Sequence, residues 1–253
     1  MLIGLTYYSK HRNYIMIKPI TKTALLTLFI CCTTVAVRAQ LGYNFAKYDI
    51  GASVGFNTVH GDAQTQTSTP SVNLNFTINQ TPFTNFVLEA QLGRFAGGDS
   101  VHTSTGRQFK SDFSAFIFRG QLQAGEFLDY SNNRVFNALK NLYISAGLGY
   151  IVNRMTEINR YSIKNPGFYT GGEDNSQEIF IPFRLGYEFK LFNQYQQPSV
   201  KFDIGYGYNY VLGDGVDGFA VTANHHDSYS QYTIGVKFAL GSSDISYRKQ
   251  IQY

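Results

Sequence analysis

Bulky apolar side chains recur at every second position in eight separate segments of this chain, which is the period of a β-strand and not of a helix. The segments are Tyr48 to Val59, Ser71 to Ile78, Phe86 to Phe95, Phe113 to Gly125, Leu142 to Asn153, Glu178 to Lys190, Ser199 to Val211 and Ser228 to Leu240. In the seventh, Val200, Phe202, Ile204, Tyr206, Tyr208 and Tyr210 alternate with Lys201, Asp203, Gly205, Gly207 and Asn209. The third sets Phe86, Leu88, Ala90 and Leu92 against Glu89, Gln91 and Gly93. Beyond Ala39 no run reaches the eighteen or so apolar residues of a membrane-spanning helix.

Alternation alone fits a soluble sandwich or barrel as well, so the character of the two faces decides. Soluble barrels turn bulky apolar groups inward. Here the polar face carries the small residues, among them Gly51, Gly55, Gly93, Gly147, Gly149, Gly186, Gly205, Gly207 and Gly235. Small residues suit the concave side of a narrow tube and Phe, Tyr, Leu and Ile the convex side, so the apolar face is expected to meet lipid. The charges agree. Asp49, Glu89, Arg119, Arg184, Glu188, Lys190, Lys201, Asp203 and Lys237 all share the polar parity, which chance would produce roughly once in 500 trials. Arg94 and Arg154 take the apolar parity, but at strand ends, where long side chains reach the interface.

Residues 1–39 differ from the rest. Lys10, Arg12, Lys18 and Lys22 precede an apolar run from Ala24 to Val37 and the small-residue site Val37-Arg38-Ala39. This is the layout of a secretory signal peptide cleaved after Ala39, with Met16 an alternative start. A membrane anchor needs a longer run, and a lipoprotein signal at Cys31 or Cys32 has Ile30 where a small residue belongs. Cleavage removes both cysteines, and with them any disulfide or thiolate chemistry. It also removes five of the 21 basic residues and no acid, so the formal charge of +4 belongs to the precursor and does not argue for nucleic-acid binding.

The expectation is an all-β, eight-stranded antiparallel up-and-down transmembrane β-barrel over residues 40–253, in the outer membrane. In lipid only a closed sheet satisfies its backbone, and eight strands leave an interior that side chains just fill. The connections 79–85 and 191–198 are short, whereas 60–70, 96–112, 154–177 and 212–227 are long and polar, the usual contrast of periplasmic turns with external loops. The turn Glu126–Asn141 is long for its side, and Val135, Phe136 and Leu139 suit one amphipathic helical turn there. Residues 241–253 are too few for a further peptidoglycan-binding domain.

Tyr48-Asp49-Ile50-Gly51-Ala52-Ser53-Val54-Gly55 and Tyr232-Thr233-Ile234-Gly235-Val236-Lys237-Phe238 resemble the first and last strands of the small outer-membrane β-barrel families, of the OmpA-like or OmpX-like kind. The resemblance implies insertion by the barrel assembly machinery and implies no reaction.

Register guessed from the strand ends sets Glu89 opposite Arg119, Glu188 opposite Lys201 and Asp49 opposite Lys237, as interior ion pairs; buried charges need such partners. They suit static filling of the lumen, or a switchable gate. His225-His226-Asp227-Ser228 offers a His and a Ser two apart, the weak signature of a lipid hydrolase. Adding Asp214 and Asp217 gives an equally weak metal set. Gly213-Asp214-Gly215-Val216-Asp217-Gly218 lacks the ligand series of a calcium loop. His60 and His102 stand alone in loops. The expected role is therefore structural or surface-binding, without catalysis, cofactor or metal. Its partners would be outer-membrane lipid, the assembly machinery, and an envelope protein if the chain is a periplasm-facing subunit of a secretion complex contacted through the 126–141 turn. A lipid-modifying hydrolase is the third reading.

Overall fold

The structure is a computed structural model. It describes residues 42–130, 133–162, 164–194, 197–220, 226–241 and 245–248. The signal-peptide reading, with Met16, Cys31 and Cys32, lies outside the described residues, as does His225.

Ten strands are present among the described residues. β1 (Gly42–Phe45) is followed by β2 (Tyr48–His60), β3 (Gln66–Asn79), β4 (Thr84–Gly98), β5 (Gln108–Gln123), β6 (Leu142–Asn159), β7 (Asn175–Phe192), β8 (Pro198–Val211), β9 (Ser228–Leu240) and β10 (Ile245–Arg248). Strands β2 to β9 pair antiparallel in chain order, and β9 returns to β2 to close the barrel. At the seam Ile50 faces Phe238 and Val54 faces Ile234. The small pair β1–β10 was missed, because four residues are too few to display a period; Gly42 lies opposite Arg248. The β5–β6 connection holds a short 3-10 turn over Ala124–Glu126 and an α-helix, α1 (Arg134–Leu139), where the side chain of Asn133 caps the helix by accepting from the N–H of Val135.

Several strands run past the alternating segments. β5 begins at Gln108 and not near Phe113, and β6 ends at Asn159 and not near Asn153. In these extensions the outward residues are Lys110, Asp112, Arg154 and Glu157, so the ladder continues after the apolar period has stopped. Two external ion pairs, Arg94–Asp112 at 3.0 Å and Lys110–Glu157 at 2.7 Å, mark the upper limit of the apolar surface.

The burial is inverted relative to a soluble protein. Phe116 is 68% exposed and Leu148 62%, whereas Glu89 and Arg119 are each 2% exposed. The nine charges named above are buried in the lumen, while Glu178, near the upper end of β7 on the same parity, is half-buried. On β6 the outward apolar series runs from Leu142 to Val152. Ten steps of about 3.3 Å, tilted by about 40°, give a band about 25 Å tall, the height of an outer-membrane barrel's lipid-facing zone. A closed sheet with this surface is a transmembrane barrel of the bacterial outer membrane.

Depth in that band sets the cost of a charge. Leu148→Arg, mid-band, is expected to destabilise the barrel by about 2–4 kcal/mol, and Leu142→Arg, at its edge, by less than about 1 kcal/mol. Denaturant titrations in phospholipid vesicles compare the two; equal costs would contradict the placement of the band.

Candidate functional site

The lumen concentrates the charged side chains that lipid excludes from the outer wall. Glu89, on β4, is its centre. Arg119 Nη2 on the neighbouring β5 donates to Glu89 Oε2 at 2.7 Å, and Arg184 on β7 reaches across the tube to both carboxylate oxygens at 3.2 and 3.1 Å. Gln91 Nε2 adds a further hydrogen bond at 2.7 Å. Lower in the tube Lys237 Nζ bridges Glu188 at 2.6 Å and Asp203 at 3.0 Å, and the Tyr143 hydroxyl donates to Asp203 at 3.0 Å. Lys201 Nζ donates to Asp49 at 2.6 Å.

Of the three pairs expected from the sequence, Glu89 and Arg119 are in contact, and the other two exchange partners. Lys201 goes to Asp49 and Lys237 to Glu188. The reason is the register, which differs from the guess by two residues in every case: Val87 faces Arg119, Lys190 faces Lys201, and Gly51 faces Lys237. Arginine is long enough to bridge the diagonal. At β7–β8–β9 the true register sets Glu188 beside Asp203, and Lys201 beside both Lys190 and Lys237. Like charges directly opposite repel, so Lys201, Glu188 and Asp203 turn to opposite charges on other residues, and Lys190 turns to the Gln123 side-chain oxygen at 2.7 Å. Contacts across the tube, such as Arg184 to Glu89, join strands distant in order and leave no trace in local spacing.

The upper lumen is apolar, which the sequence reading missed. Phe95 stacks on Phe113 with centroids 4.1 Å apart, and Tyr229 packs against Phe95 at 5.1 Å and Phe180 at 5.7 Å. Val59, Ile117, Ile151 and Val211 complete this layer, and loop residues Val216 and Phe219 cover it. Gly149 faces the Phe180 ring so closely that a Cβ would collide with it. The glycines of the polar face therefore do more than relieve curvature; some make room for rings. The visible signal was Phe95, Phe113 and Tyr229 on the polar parity. At the opposite mouth Phe83 and Tyr130 pack edge to face at 5.6 Å, and Lys190 Nζ lies 4.8 Å over the Phe83 ring while donating to the Pro82 carbonyl at 2.6 Å. Side chains thus pack into the tube at three levels, with rings at both mouths and ion pairs between them.

The loop candidates separate. The His226 ring packs tilted against Tyr210 with centroids 5.6 Å apart, while Ser228 Oγ accepts from the Tyr208 hydroxyl at 3.0 Å, so the two are engaged elsewhere. His60 is not isolated: its Nε2 lies 3.0 Å from Ser230 Oγ on the outer wall. Among the described residues no carboxylate bonds to His60, so the pair lacks the orienting member of a hydrolytic relay. His102 Nδ1 lies 2.7 Å from Asp99. Among the described residues no group of three His, Cys, Asp or Glu is placed to hold a metal. Asp217 and Asp227 instead fold inward onto backbone. Asp217 Oδ1 accepts from the Phe219 N–H at 3.0 Å, and Asp227 Oδ2 from those of Val216 at 2.8 Å and Asp217 at 3.3 Å. Burial, then repulsion from neighbouring carboxylates, pushes Asp217 up to about 7 and Asp227 up to about 8.

No family model and no curated protein matches the sequence. Among solved structures, the barrel is similar to Neisserial surface protein A, with a TM-score of 0.45 and 12% identity over 77% of this chain and 98% of that one. It is also similar to Ail, the attachment invasion locus protein of Yersinia pestis, at 0.41 and 11% over 76% and 97%. OprG from Pseudomonas aeruginosa gives 0.37 and 10% over 83% and 99%.

Two outcomes are expected. Glu89→Gln strands two buried guanidinium groups and should cost about 3–5 kcal/mol, whereas Glu157→Gln, at an exposed pair, should cost less than about 1 kcal/mol; denaturant midpoints distinguish them. For the loop, the raised acids favour the folded state while protonated. Their contribution is fully present below the ordinary carboxylate value of 3.8 and is lost as pH rises through about 7 to 8. Amide protection factors in residues 212–220, corrected for the base-catalysed rise of intrinsic exchange with pH, should therefore be larger at pH 5.5 than at pH 8.5, and Asp227→Asn should flatten the difference.

Proposed function

We propose that this chain is a non-catalytic outer-membrane barrel whose filled lumen serves as a rigid base and whose external loops form a surface for binding. The observation that carries the reading is the way those loops are tied together above a blocked tube. Lys164 Nζ donates to the His102 carbonyl at 2.6 Å, and Ser162 Oγ and Asn165 Nδ2 donate to the Ser104 carbonyl at 2.7 and 3.1 Å. Arg107 connects a third loop through the Asp62 carbonyl at 3.0 Å and also meets Thr170 at 3.1 Å. Arg160 reaches the Gly218 carbonyl of the fourth at 3.1 Å.

Loops bonded to one another lose little conformational entropy when they bind, which is how preorganisation raises affinity. On this base Tyr161 and Tyr169 stand side by side, centroids 5.1 Å apart, and both are exposed, as is Phe168. Exposed aromatic groups on a rigid base are the usual anchors of recognition surfaces. A conducting role is disfavoured by the ion pairs and the two aromatic plugs, and a hydrolytic role by the separation of His226 from Ser228.

Planar-bilayer recordings of the purified barrel are expected to show no unitary conductance. A glycan array and immobilised extracellular-matrix proteins, probed with the same preparation, should bind it, with affinity falling about tenfold or more for Tyr161→Ala/Tyr169→Ala. Steady channel openings together with no binding to either probe would overturn the proposal.

A further inference from the structure

The turn between β5 and β6 ends in apolar side chains that stand exposed among the described residues. Val135 and Leu139 lie one helical turn apart on α1 and are exposed, as are Phe136 and the preceding Phe127. Phe127 is 73% exposed and Val135 61%, as open as the residues that face hydrocarbon in mid-band.

The helix is attached to the outside of the barrel wall. On β7 the inward residues are Arg184, Glu188 and Lys190, so Leu185, Tyr187 and Phe189 point outward. The Tyr187 hydroxyl donates to the carbonyl of Ala138, within α1, at 2.6 Å. Tyr187 lies opposite Leu142, the first outward residue of the β6 band. Both connect α1 to the lower edge of the lipid-facing surface. The root of the turn is held firmly: the Gly125 N–H donates to the Lys140 carbonyl at 2.7 Å, and Lys140 Nζ lies 4.9 Å over the ring of buried Tyr130.

We infer that the 126–141 turn is an interfacial foot that lays Phe127, Val135, Phe136 and Leu139 into the periplasmic phospholipid leaflet beside the barrel. Continuity with the hydrocarbon-facing band identifies the occupant. A protein docking to the barrel's underside would meet a helix projecting beneath the mouth, whereas α1 is bonded to the outward face of the wall, where lipid is already the neighbour. Arg134, exposed at the start of α1, supplies a cation at headgroup level. Short amphipathic segments of this composition lie in the plane of the interface. The inference stands apart from whatever the external loops bind.

The test uses the full chain carrying Cys31→Ser and Cys32→Ser, with Val135→Cys labelled by an environment-sensitive fluorophore in phosphatidylethanolamine–phosphatidylglycerol nanodiscs, which leave both faces open. Glu173→Cys, in an external loop, is the control. Lipids spin-labelled near the headgroup should lower the Val135→Cys signal about twofold, as expected for a group about 5–10 Å into the headgroup boundary, while iodide quenches only the control. A Val135→Cys label quenched by iodide like the control, and untouched by the spin-labelled lipid, overturns the inference. Heat-modifiable gel migration establishes that both labelled barrels are folded.

Discussion

Hydrocarbon offers a backbone no hydrogen-bonding partner, and the remaining features of this molecule follow from meeting that constraint with strands. An open sheet would expose two unsatisfied edges, so β2 returns to β9 and the sheet becomes a tube. Once closed, the tube has one face that can carry only apolar groups and one, narrow and shielded, that must hold whatever the apolar face rejects. Nine strand charges are thereby committed to a space with little room for water, and at that burial each needs an opposite charge or a strong acceptor.

The lumen meets this need by layering. Charged groups occupy the middle and lower tube, where Glu89 is shared by two guanidinium groups and Lys237 by two carboxylates. Rings occupy the upper tube, closed by Phe219 and Val216 from the fourth loop. The two layers have different consequences. The ionic layer ties β4, β5 and β7 across the axis and makes the wall stiff. The aromatic layer couples the barrel to the external loops, so that the loops rest on a packed surface and not on an open pore. A surface-binding role is consistent with that stiffness, because the loops can hold one arrangement before any partner arrives.

Much of this was readable from residue order. Eight alternating segments, the outward direction of Phe and Leu, and the inward direction of the charges all follow from a period of two and from the different tolerance of lipid and lumen for charge. The errors have equally definite causes. Extensions of β5 and β6 were missed because polar residues above the lipid erase the period while the ladder continues. Two of the three ion pairs were mismatched because an error of two residues in register preserves the face and changes the neighbour. The aromatic plug was missed because Phe95, Phe113 and Tyr229 stand on three separate strands, and only in the tube do they meet.

The order of residues by itself determined the architecture and which face of the sheet meets lipid, since alternation and the sorting of charge by face are properties of each strand taken alone. Tertiary structure decided what the interior and the rim do. Which carboxylate meets which cation, where rings replace ions, and that the foot of the 126–141 turn is fastened to the outer wall by Tyr187 all depend on strand register and on distances across the tube. Those quantities arise only when the sheet closes, because closure brings together residues that no local pattern relates.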